Sequence, residues 1–103
     1  MSSNITVNDD NGWTPIPIDD YIDIVGRFAV VESTYGKVGI IRKFIVVLKA
    51  WFKPLEDGKT YRVNVKVEET VLPNPSYEKI YDAIVEHQRD PRSFALLSFD
   101  PLH

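Results

Sequence analysis

The chain has 103 residues, the size of one ordinary domain, which excludes a two-domain enzyme. With 44% of residues apolar and 26% charged it lies among globular chains, away from the compositions that stay disordered. Fifteen acids against twelve bases give a net charge of −3, which lacks the positive field a nucleic-acid binder carries.

In chain order, residues 1–11 read as a flexible arm of Ser, Asn and Asp, and residues 12–103 as one domain. Pro15 and Pro17 alternate with isoleucines in an extended lead. Asp19 or Asp20 suits a helix N-cap, and Asp23 suits a first turn. From Tyr21, a helical projection groups Tyr21, Ile22, Ile24, Val25, Phe28, Ala29 and Val31 on one half and Asp23, Gly26 and Arg27 opposite. This predicts one amphipathic helix ending between Ser33 and Gly36. Residues 40–52 are β-branched and aromatic, a long strand. Lys53 to Lys59, with Pro54 and the Asp57-Gly58 pair, makes a hairpin into the alternating Tyr61, Val63, Val65 and Val67. Pro73 and Pro75 mark a loop over 71–76, and strands are expected over 77–87 and 93–99, joined by Gln88 to Arg92. The order predicts an α+β fold: one long helix packed across a four- to five-stranded antiparallel sheet, the fifth strand coming from the lead.

Without cysteine there is no disulfide, thiolate nucleophile or Cys-ligated metal, and neither metal nor cofactor is expected. No apolar run is long enough to span a bilayer, and no signal segment is recognisable, so the chain is expected to be cytoplasmic, or secreted if a signal segment is missing from it. Asn4-Ile5-Thr6 would accept glycosylation in a secreted chain. A hydrolase would have to join His87 with Ser93 or Ser98, and no oxyanion hole is announced. The adjacent acid pairs Asp19/Asp20, Glu56/Asp57 and Glu68/Glu69 point apart on strands or cap a helix, so catalysis is not expected. Trp51, Phe52, Pro54 and Leu55 crowd the first predicted hairpin, where exposed aromatics suggest a contact site, although alternation would send Trp51 and Phe52 to opposite faces.

Val25-Gly26-Arg27-Phe28-Ala29-Val30-Val31-Glu32 resembles the helix signature of the plant-type cystatins, inhibitors of papain-like cysteine proteases. Gly12-Trp13-Thr14-Pro15-Ile16 resembles the glycine-containing lead into that helix, and Gly58-Lys59-Thr60-Tyr61-Arg62-Val63 the residues after the first inhibitory loop. Tyr81 to Val85, Leu96, Phe99, Pro101 and Leu102 continue the likeness, which covers about residues 12–102.

The resemblance implies a twisted antiparallel sheet gripping one helix, and a three-piece wedge that blocks a papain-like cysteine protease reversibly and without chemistry. The pieces would be Gly12 and Trp13, the loop Pro54-Leu55-Glu56-Asp57-Gly58, and the tip Arg89-Asp90-Pro91-Arg92. Both loops depart from the pattern. The family's Gln-Val-Val-Ala-Gly is replaced by a stretch that keeps only the glycine and gains two carboxylates. Its second-loop Pro-Trp falls on Arg89-Asp90, or on Pro91-Arg92 with a two-residue slip, and neither carries tryptophan. Three readings follow: an inhibitor weakened or retuned by charge, a non-inhibitory binding module, and a dimer made by hairpin exchange in place of a monomer. The module would use the Trp51/Phe52 loop or the basic stretch of Lys37, Arg42, Lys43, Lys49 and Lys53.

Overall fold

The computed structural model describes residues 12–55, 58–89 and 92–102. The expected arm with Asn4, the loop residues Glu56, Asp57, Asp90 and Pro91, and His103 lie outside the described residues. The elements are β1 (Thr14–Pro15), α1 (Asp20–Ser33), β2 (Ile40–Leu55), β3 (Gly58–Val71), β4 (Tyr77–Arg89) and β5 (Arg92–Pro101). All strands pair antiparallel in one sheet of order β1-β2-β3-β4-β5, with α1 across one face. This is the expected α+β architecture, and the short lead strand β1 is its fifth strand.

The helix starts where the acids predict. Asp19 is the N-cap, its carboxylate accepting the Ile22 N–H at 2.9 Å, and Asp20 and Asp23 occupy the positive end of the helix dipole. Its buried stripe is Ile22, Val25, Gly26, Ala29, Val30 and Ser33, spaced three and four apart. This corrects the projected face: Ile24 and Val31 are 53% and 66% exposed, and Gly26 faces the sheet. The reason is close approach. A Cβ on Gly26 would stand 2.5 Å from Val47 Cγ2 and 3.1 Å from Phe44 Cε1, so the missing side chain lets α1 settle onto β2. An apolar tally scores glycine as nothing and cannot see this contact.

On β3, Tyr61, Val63, Val65 and Val67 point to the helix and are buried, with Ala83 and Val85 of β4 and Val47 and Ala50 of β2 beside them. Strand alternation places Trp51 and Phe52 on opposite faces. Phe52 packs against the core, and Trp51 lies on the outer face beneath Arg62, whose guanidinium carbon is 5.0 Å from the ring centroid. Both sit inside β2, opposite Arg62 and Tyr61, so the expected aromatic hairpin tip is corrected: pairing continues to Leu55 and Gly58. β2 changes register between Phe44 and Val46 and again between Val47 and Lys49. Each β-bulge breaks the period of two, which is why that strand shows no clean alternation in sequence.

Arg42 is also corrected, because it leaves the basic stretch and turns under the helix. Its Nε donates to Glu69 at 2.7 Å and its other nitrogens reach the Ser33 carbonyl and the Tyr81 hydroxyl. Glu69 accepts as well from Tyr77 at 2.7 Å and Tyr81 at 2.5 Å. Burial alone would raise the Glu69 carboxyl, but hydrogen bonds from Tyr81, Arg42 and Tyr77 outweigh it and hold the group at about 2, below its ordinary 4.5. A folded-state pKa below the unfolded one stabilises fully above the unfolded value and less as pH falls toward the folded value. Stability should therefore drop between pH 4.5 and about 2, by a Glu69 contribution of about 3 kcal/mol. Urea titrations across that window should show the drop, and Glu69→Gln should lose about 3 kcal/mol at neutral pH and flatten the acid limb.

Candidate functional site

The register carries three separated segments to one end of the sheet. Thr14 stands opposite Phe52, so Gly12 and Trp13 lie beside the end of β2. Above that level Lys53, Thr60, Glu86 and Ala95 align across β2 to β5, then Pro54, Lys59, His87 and Phe94, then Leu55, Gly58, Gln88 and Ser93. Arg89 pairs with Arg92 at the limit of β4 and β5. Gly12 and Trp13, Pro54, Leu55 and Gly58, and Arg89 with Arg92 are thereby brought to one edge. Glu56, Asp57, Asp90 and Pro91 join these strand ends in sequence and lie outside the described residues.

Local contacts hold this end in shape. Gly12 has φ of +87°, a conformation that favours glycine, and the half-buried Trp13 takes the Lys53 ammonium 4.6 Å above its ring centroid. Gly58 is fixed by crowding: a Cβ there would collide with the His87 carbonyl oxygen and lie 3.2 Å from Gln88 Cα. On the helix side, the Tyr21 hydroxyl and His87 Nδ1 are 2.5 Å apart. Phe94 lies 4.7 Å from the His87 ring centroid and 6.2 Å from that of Tyr21. Beside this cluster a groove of about 260 Å³ opens between the lead and the sheet, lined by Ile16, Pro17, Tyr21, Phe52, Lys59 and Tyr61 among others.

The sequence missed this supporting cluster. Its signal is phase: His87 follows Tyr81, Ala83 and Val85 at steps of two, which sends it to the helix face. The same phase separates it from Ser93 and Ser98, opposite Gln88 and Ile84 on the other face, so His87 and these serines form no hydrolytic pair. Among the described residues no group of three or more His, Asp or Glu side chains could hold a metal ion, and no helix is long and apolar enough to cross a membrane. In the sequence, Lys53, Lys59, Arg89 and Arg92 flank the acids Glu56, Asp57 and Asp90 at these strand ends.

Gly58→Ala should push β3 off β4 at this edge, since the obstacle is backbone and cannot rotate away. The expected loss is about 2 kcal/mol, with amide shifts concentrated at Gln88 and its neighbours in NMR spectra.

The sequence matches no family model and no curated protein. Among solved structures, the salivary cystatin of the soft tick Ornithodoros moubata superposes with a TM-score of 0.71 at 15% identity, covering 89% of this chain and 97% of that chain. One helix gripped by a five-stranded antiparallel sheet, with the hairpin ends gathered at one edge, is the cystatin fold, and this chain has it.

Proposed function

We propose that the protein is a reversible inhibitor of papain-like cysteine proteases, acting as a wedge and performing no chemistry of its own. The observation that carries this reading is the convergence of Gly12 and Trp13, Leu55 and Gly58, and Arg89 and Arg92 on one sheet edge. The resemblance at Val25 to Glu32 to the plant-type helix signature and the fold of the tick salivary cystatin support it. The wedge would fill the protease cleft noncovalently and keep substrate from the catalytic thiol.

The loop chemistry sets its strength. Glu56 and Asp57 stand where the family keeps an uncharged tip, and burying an unpaired carboxylate costs several kcal/mol. The bases Lys53, Lys59, Arg89 and Arg92 that flank the loops in sequence would change which cleft rims fit, so selection among proteases would be by charge. The missing second-loop tryptophan removes an anchor of a kind that often contributes about 2 kcal/mol. These two departures favour, as the second reading, a cystatin-fold binding module without inhibition.

Titration into a papain-like protease decides between the readings. Submicromolar, dilution-reversible inhibition is expected, and replacing Glu56 by Val together with Asp57 by Ala should tighten it about tenfold or more. No inhibition by either protein at high micromolar concentration would overturn the inhibitor reading and leave the second.

A further inference from the structure

The sheet face turned away from the helix carries a charge pattern of which the wedge uses only Lys53. Three lysines of β2, Lys43, Lys49 and Lys53, run along one side of β3, and three acids of β4, Glu78, Asp82 and Glu86, run along the other. The register sets them at matching heights. Lys53, Thr60 and Glu86 share one level; Trp51, Arg62 and Ile84 the next; Lys49, Asn64 and Asp82 the third; Val46, Lys66 and Ile80 the fourth; Lys43, Glu68 and Glu78 the fifth. Lys43, Lys49 and Glu86 have no ion pair among the described residues, and Val46 is 41% exposed.

We propose that this outer face is the interface of a homodimer whose two-fold axis runs along β3. Rotation by half a turn about β3 lays β2 of one copy over β4 of the other without changing height. Lys53 then meets Glu86, Lys49 meets Asp82 and Lys43 meets Glu78, each twice, while Trp51 meets Ile84 and Val46 meets Ile80. Off the axis, charge opposes opposite charge and apolar opposes apolar at each of these heights, the self-complementarity an isologous interface requires. A two-fold axis across the strands would instead set β2 on β2, lysine against lysine, so the pattern selects the axis.

On the axis itself, Arg62 and Lys66 are paired within the chain to Asp82 at 2.9 Å and Glu78 at 3.5 Å, acids that the partner's Lys49 and Lys43 would then share, and Glu68 meets its own copy with Lys43 beside it on each chain. Thr60 and Asn64 can hydrogen-bond to their own copies. Aligned sheets pack about 10 Å apart at a rotation of about 30°, and long lysine and glutamate side chains span the offset this brings at the ends. The proposal rests on the outer face, which shares Lys53 with the wedge end, and the Lys43 and Glu78 variants test it at the end away from the wedge.

Sedimentation velocity over rising concentration at low salt tests it. A shift from 11.8 kDa to twice that mass is expected, weakening as salt is added. Lys53→Glu places acid on acid and Glu86→Lys base on base, so each should weaken self-association about tenfold or more. Mixed together, the two variants should form a heterodimer, because each then faces its opposite charge. Lys43→Glu with Glu78→Lys provides a second pair, and circular dichroism reports whether each variant folds. A monomer at every concentration, a dimer indifferent to these charges as hairpin exchange would give, or mixed variants that stay monomeric would each overturn the proposal.

Discussion

Backbone hydrogen bonds pair β2, β3, β4 and β5 along most of their lengths, so the height of a side chain on one strand is set by partners on the others. Both ends of the molecule inherit their geometry from that ladder. At one end it aligns the lead with the ends of β2, β3, β4 and β5; at the other it brings Arg42 to Glu69, 27 residues away in sequence. A slip of one residue would turn Val63, Val65 and Val67 outward and scatter both constellations. The buried valines therefore hold the register, and Gly26 seats the helix that covers them.

The two ends use charge in opposite ways. Arg42 and Glu69 are buried beneath the helix with hydrogen bonds from two tyrosines, so their charges are compensated and serve the fold. At the other end the sequence joins the strands with Glu56, Asp57 and Asp90, and in the proposed wedge these charges would select the partner.

Much of the fold could be read from the sequence because its signals are local: Asp19 and Asp20 ahead of the helix, alternation from Tyr61 to Val67, and Asp57-Gly58 and the paired prolines at turns. What escaped depends on groups distant in sequence or on atoms that are not there. Gly26 marks the tightest helix-to-sheet approach by lacking a side chain. Two bulges in β2 erase the alternation that would have shown which of its side chains face the helix, and the strand runs on past the expected end at Phe52 to Leu55. Glu69 left a trace, since it falls in phase with Val63, Val65 and Val67, and a carboxylate in phase with buried valines requires a buried partner. The candidate site was legible as segments; that they meet at one edge required the pairing.

Amide hydrogen exchange of the protein, alone and with a papain-like cysteine protease, is the most direct test of the central claim that this edge is the docking surface. The account predicts slowed exchange at residues 12–14, 54–59 and 87–93 together, with the opposite end at 72–77 unchanged. Protection confined to that opposite end, or no protection anywhere at saturating protease, would contradict it.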